Sequence, residues 1–160
     1  MRVLVLDAPT VHGKIVCSLI KEYSSEGTEV ELFSVCDNGN HCTNDKLCEG
    51  LVYGLFGSWD IINVSLGLPY MTKEVSDLID KLVDKGIKIV CASGNGSRCY
   101  PSLHPKTISV GAIDENGEVT SYTVEGSYDV LCLGSYMYKG KLWSGTSFAC
   151  ARYSGKLASE

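Results

Sequence analysis

Arg2-Val3-Leu4-Val5-Leu6-Asp7, followed after a short turn by His12-Gly13-Lys14-Ile15-Val16-Cys17-Ser18-Leu19-Ile20, decides the fold. The first segment is a nearly unbroken apolar run closed by a carboxylate, the pattern of a strand buried on both faces. The second carries Ile15, Val16, Leu19 and Ile20 at helical spacing. It predicts a helix from about His12 to Tyr23 that ends at Ser24-Ser25-Glu26-Gly27. His12 then sits at or just before the helix start. Asp7 falls at the C-terminal end of its strand, the edge where open α/β sheets carry their sites.

The same alternation continues downstream. A strand is expected at residues 30–35, then a polar loop at 37–43. Asn44-Asp45 caps a helix running through Leu47, Leu51, Val52 and Leu55. An apolar strand at 60–66 leads into Leu66-Gly67-Leu68-Pro69. Thr72 opens a helix with Val75, Leu78, Ile79 and Leu82 on one face, and Gly86 closes it. Strands follow at 87–91 and 107–112, separated by the loop Ala92-Ser93-Gly94-Asn95-Gly96-Ser97. Beyond the turn at Glu115-Asn116-Gly117-Glu118, short strands are expected at 119–123 and 129–133. A hairpin is expected around 136–142, and a last helix at 147–158. Largely apolar strands alternating with helices predict one domain over residues 1–160. Its fold class is α/β, a parallel sheet with helices on both faces in three layers, α/β/α.

The chain is 44% hydrophobic and 21% charged, with a net charge of −5. That balance excludes nucleic acid and an anionic membrane surface as expected partners. No apolar run is long enough to span a bilayer, and the N-terminal segment is too short for a signal peptide, so a cytoplasmic location is expected. The eight cysteines are then expected to be mostly free. Cys36, His41, Cys42 and Cys48 gather potential ligands, but five residues lie between successive cysteines, not the two to four typical of zinc sites. Free thiols or a disulfide are expected there, with no metal and no cofactor.

Ser144-Gly145-Thr146-Ser147-Phe148-Ala149-Cys150 places a serine on a glycine-bearing turn ahead of an apolar, small-residue helix. A helix N-terminus supplies free N–H groups and the positive end of a dipole, which suit an alkoxide and a developing oxyanion. Alone, such a serine reads as a helix cap. Asp7 after the first strand and His12 at the first helix change that reading. Asp, His and Ser are the residue types of acyl transfer: the histidine takes the serine proton, and the carboxylate orients the imidazole. Asn95, between two glycines after a strand, offers an amide donor for one arm of an oxyanion hole. The Ser147 N–H is the other arm.

On these motifs the chain resembles the subtilisin-like serine proteases, the subtilases. Val5-Leu6-Asp7 is similar to the family's aspartate strand. His12-Gly13-Lys14-Ile15-Val16-Cys17 is similar to its His-Gly-Thr segment, and Asn63-Val64-Ser65-Leu66-Gly67 to the strand that pairs with substrate. Ala92-Ser93-Gly94-Asn95 resembles the oxyanion-asparagine loop, and Ser144-Gly145-Thr146-Ser147-Phe148-Ala149 the Asn-Gly-Thr-Ser-Met-Ala motif. The order Asp, His, Ser is that of subtilisin. The resemblance implies a subtilisin-like sheet and a serine endopeptidase with Asp7, His12 and Ser147 as its triad and Asn95 in the oxyanion hole. It also implies substrate contacts from Ser65, Leu66, Gly67, Ala92, Ser93 and Gly94. Cys99 lies near the pocket for the residue before the cut, with a buried structural thiol as the other reading.

The chain departs from the family at several points. Asp7 and His12 are only five positions apart, thirteen residues follow Ser147, and Ala151-Arg152 stand where the family has proline and histidine. These departures, with no pro-segment expected, suggest a minimal member dedicated to cutting a precursor or leader peptide. The partner is then a peptide or protein substrate. A non-catalytic peptide-binding module is the alternative, and a homo-oligomer whose partner completes the fold is a third reading.

Overall fold

The computed structural model describes residues 1–160. The elements β1 (Arg2–Asp7), α1 (Val11–Tyr23), β2 (Glu29–Ser34), α2 (Asn44–Phe56), β3 (Ile61–Val64), α3 (Lys73–Asp84), β4 (Lys88–Ala92) and β5 (Ile108–Ile113) alternate as the sequence predicts. They are followed by β6 (Val130–Leu133), β7 (Ser135–Tyr138), β8 (Lys141–Ser144) and α4 (Thr146–Leu157). Six strands pair in parallel in the order β2-β1-β3-β4-β5-β6, while β7 and β8 form a separate antiparallel pair. No helix is long and apolar enough to cross a membrane.

Successive side chains of a strand point to opposite faces, and that alternation builds two cores. Val3 and Val5 of β1, with Ile61, Val90 and Val110, pack against α1 and α4; Leu4 and Leu6, with Ile62, Val64 and Ile89, pack against α2 and α3. Three layers result. Burying one such side chain contributes about 1.5–3 kcal/mol, which explains why the strands carry so little polarity.

The sheet order also sets the site. From β1 the chain steps out to β2 and then returns across β1 to β3. Such a reversal opens a crevice at the carboxyl ends of the strands. Leu6 pairs with Val64, so the next residues in line are Asp7 and Ser65. Gly13 lets α1 start hard against β1, because a Cβ there would collide with the Ala8 carbonyl oxygen. His12 therefore lies in the first turn of α1. Thr10 is the N-cap, but its hydroxyl is turned away from the helix and donates to Asn40 Oδ1 at 2.7 Å.

Some boundaries differ from expectation. Residues 119–123 do not form a strand. Val119 makes one bridge to Ile113, and the chain then folds into turns closed by Thr123 N–H to Thr120 O and Ser127 N–H to Val124 O. The Thr123 hydroxyl takes the Ala112 N–H at 3.1 Å, so a side chain caps the sheet where a strand was expected. The expected strand at 60–66 is shorter, and Ser65, Leu66 and Gly67 lie past its end, outside the ladder. The expected hairpin is β7–β8, turning on Lys139 and Gly140, both with positive φ (48° and 78°), as a tight hairpin requires. Cys36 and Cys42 are joined as a disulfide; the other six cysteines are free.

Candidate active site

Asp7 is buried at the end of β1 and points both of its bonds through one oxygen. Its Oδ1 accepts from the Ala8 N–H at 2.6 Å and faces His12 Nδ1 at 2.8 Å. Its Oδ2 is buried without a partner. An acceptor-only group opposite Nδ1 places the ring proton on Nδ1 and leaves Nε2 as an open acceptor. Burial of the ring opposes its protonation, but the hydrogen bond and the charge of Asp7 outweigh this, and the His12 pKa is raised. The under-satisfied carboxylate favours the imidazolium for the same reason. A neutral imidazole held at one nitrogen and open at the other is the arrangement of a general base.

Ser147 is the second residue of α4, after the N-cap Gly145. It is mostly buried, and its hydroxyl donates to the Ser65 carbonyl at 3.0 Å. It makes no hydrogen bond to His12. The link between them is aromatic: the Phe148 ring lies 5.5 Å from the imidazole, centroid to centroid, and 6.3 Å from Trp143. Thus Asp7 and His12 are paired directly, while Ser147 stands at the same crevice with its hydroxyl held by β3's extension.

Asn95 is fixed by a residue that the sequence alone did not single out. Thr146 donates to Asn95 Oδ1 through both its N–H, at 3.0 Å, and its hydroxyl, at 3.1 Å. The same hydroxyl accepts from the Gly94 N–H at 3.2 Å. With the carbonyl end occupied twice, the amide nitrogen Nδ2 is left without a partner. The Phe148 N–H goes to Gly145 O, and Ser147, one residue into the helix, has no intrahelical acceptor for its N–H. Two donors, Asn95 Nδ2 and Ser147 N–H, are therefore open on either side of the Gly145-Thr146 turn. Thr146 would have been legible only as a hydroxyl one residue before Ser147, a position with no periodic signal.

Two cavities flank Leu66 and Gly67. One, of about 210 Å³, is lined by Asp7, Ala8, His12, Ser65 and the loop residues Cys36, Asn40 and Cys42. The other, of about 240 Å³, is lined by Ala92, Gly94, Asn95, Ser97, Cys99, Thr146 and Ser147. Ser93 lines neither; it is buried, with its N–H bonded to Val110 O at 3.0 Å. Cys99 is buried below Gly67, so closely that a Cβ on Gly67 would lie 2.6 Å from its sulfur. Burial pushes the Cys99 thiol pKa up, so the cavity floor is a neutral thiol. Of the four potential ligands in the loop after β2, Cys36 and Cys42 bind each other, and His41 pairs with Asp37 at 3.1 Å.

The model of the subtilase family matches residues 10–159 of this chain. The chain belongs to the subtilase family. It is 32% identical over 126 residues to subtilisin E of Bacillus subtilis, covering 70% of this chain and 33% of that protein. Against subtilisin Savinase of Lederbergia lenta it is 28% identical over 123 residues, 71% of this chain and 46% of that one. The chain thus spans about a third of the length of the first of these relatives. Among solved structures, the patellamide maturation protease PatA superimposes with a TM-score of 0.84 at 21% identity, over 97% of this chain and 75% of that one. The prenylagaramide maturation protease PagA gives 0.83 at 21%, over 97% and 72%. These superpositions show the same fold.

Proposed function

We propose that the protein is a serine endopeptidase in which Ser147 is the nucleophile, His12 the general base and then acid, and Asp7 the residue that orients His12. The observation that carries this reading is the Asp7–His12 pair at 2.8 Å, with Nε2 open, in a crevice shared with a helix-borne serine. In the reaction the Ser147 hydroxyl leaves the Ser65 carbonyl, turns to Nε2 and attacks the peptide carbonyl as its proton passes to His12. The charge on the carbonyl oxygen is met by Asn95 Nδ2 and the Ser147 N–H. His12 returns the proton to the departing amine, and water then releases the acyl group by the same route.

The substrate is an extended peptide whose backbone lies between Ser65-Leu66-Gly67 on one side and Ala92 and Gly94 on the other. Its side chain before the cut enters the cavity over Cys99. No charged residue lines that cavity, which supports an uncharged side chain there. A role in cutting a precursor or leader peptide is supported by the names of PatA and PagA as maturation proteases. A cytoplasmic location is supported by six free cysteines of eight, since free thiols persist in reducing compartments, and is opposed by the Cys36–Cys42 disulfide, a mark of oxidising ones.

A second reading, a peptide-binding module without turnover, is favoured by one observation: the Ser147 hydroxyl is bonded to Ser65 and not to His12. Reaction with a fluorophosphonate followed by peptide mapping separates the two. Covalent label on Ser147 alone, lost in Ser147→Ala and much slowed in His12→Ala, is the expected result. A folded wild-type protein that takes no label is the binding module.

A further inference from the structure

Asn63 is a polar residue where the pattern calls for an apolar one. It lies in β3, within Ile61-Ile62-Asn63-Val64, and is fully buried. β3 is bonded to β1 on one side and β4 on the other, so nothing at the sheet edge solvates the amide. An amide withdrawn from water without partners is costly, and here every partner comes from the nucleophile helix or from Ser65. Asn63 Oδ1 accepts from the Ser154 hydroxyl at 2.8 Å and from the Cys150 thiol at 3.3 Å. Asn63 Nδ2 donates to Ser65 Oγ at 2.9 Å, and Ser65 Oγ in turn donates to the Ser147 carbonyl at 2.9 Å.

The donors run in one direction. They start on the far turns of α4, cross β3, and return to the first turn of α4 at Ser147. Ser65 lies just past the end of β3, outside the ladder, so the Asn63 amide is what orients its hydroxyl. Through that hydroxyl the strand grips the backbone of Ser147 itself.

We propose that Asn63 is a positioning residue for Ser147, acting through Ser65. It touches no reacting atom. It sets where the first turn of α4 stands relative to the crevice, and so where the Ser147 hydroxyl and N–H are aimed. The inference rests on Ser147 being the nucleophile. A buried amide that served stability alone would change melting without changing turnover, and that is the distinction to measure. Misplacing a reacting group by about 1 Å costs on the order of 10²-fold in rate.

The test uses Asn63→Leu, which keeps the volume and deletes both polar ends, Ser65→Ala, their double variant, and Ser65→Thr, which restores a hydroxyl. Ser109→Ala is the control. Its buried hydroxyl bonds Ser127 O at 2.8 Å in β5, away from the crevice. Each is followed by thermal melting, fluorophosphonate labelling rate and steady-state kinetics on a peptide substrate. Asn63→Leu and Ser65→Ala are expected to lower kcat and the labelling rate by about 10- to 100-fold with KM nearly unchanged. The double variant is expected to be no slower than the slower single one, because both remove the same chain of bonds. Ser65→Thr is expected to recover most of the loss, and Ser109→Ala to melt lower at wild-type kcat. If Asn63→Leu does not fold, Asn63→Asp keeps the side-chain outline and removes the amide donor, and the same loss is expected. A folded Asn63 variant with wild-type labelling rate and kcat overturns the inference, as does a double variant whose losses multiply. Wild-type protein that takes no label overturns the protease reading and this inference with it.

Discussion

Asp7 acts on His12 with opposite consequences for stability and for rate. Because the folded ring binds its proton more readily than the ordinary value of about 6.5, the pair stabilises the fold fully below that pH, and this contribution fades as pH rises through the raised folded pKa. In the proposed mechanism catalysis needs the neutral ring and gains over the same interval. Peptidase activity is expected to fall on acidification with an apparent pKa above about 6.5, and Asp7→Asn is expected to lower kcat by about 10⁴ by allowing the wrong tautomer. A pH–rate profile flat down to about pH 4.5 would remove His12 from the mechanism. Asn95 is the second residue whose effect is specific. In the proposed mechanism its Nδ2 meets the substrate oxygen strongly only once that oxygen is charged, so Asn95→Leu is expected to lower kcat by about 10²–10³ and leave KM nearly unchanged, a magnitude taken from subtilisin. The substitution also frees Thr146 from its two bonds to Oδ1, so melting is measured beside the kinetics. A well-folded variant with unchanged kcat reduces Asn95 to a turn residue.

At the scale of elements, the loop after β2 matters most to the crevice wall. The Cys36–Cys42 disulfide closes it, and Asp37 Oδ1 holds it from within by accepting from Gly39 N–H and His41 N–H. Asn40 ties it to Thr10, two residues before His12. Both half-cystines line the cavity beside His12. Opening the disulfide with a thiol reductant is expected to raise KM a few-fold while the fluorophosphonate labelling rate holds, and Cys42→Ser is expected to do the same. An unchanged KM in both would show that the loop lies off the substrate path. This wall was only half legible in advance: the spacing of Cys36 and Cys42 disfavoured a metal but did not choose between a disulfide, which forms, and two free thiols. The rest of the architecture was readable to the extent that burial is periodic. β1, β3 and the helices announce themselves through apolar spacing, and Asp7, His12 and Ser147 stand out as polar residues at element ends. Val119 and Thr123 misled because β-branched residues fit a strand, whereas Thr123 is there for its hydroxyl. Asn63 read as one more position in a strand, since only the packed helix shows what an amide does there.

For the whole molecule, α4 is decisive. Ten of its twelve residues are buried, and its side chains pack among β1, β3, β4, β5, β6 and α1 in one core. The helix has almost no solvent face of its own, and short isolated helices are marginal in water. It gains its stability only when the sheet and α1 are in place around it. The groups of the crevice are drawn from near both ends of the chain, through parallel pairings that form slowly because each must close a long loop.

If Ser147 is the nucleophile, the turn that presents it is expected to be completed late in folding, because α4 gains its stability only from the sheet and α1 packed around it. Under the proposed function, a newly made chain is then expected not to cut its neighbours while their backbones are still exposed. In a refolding experiment, fluorophosphonate reactivity is expected to appear after the far-ultraviolet dichroism of the helices has largely returned. Reactivity that rises together with the first dichroic signal would mean that the nucleophile turn forms locally and early, and that the young chain is already able to cut.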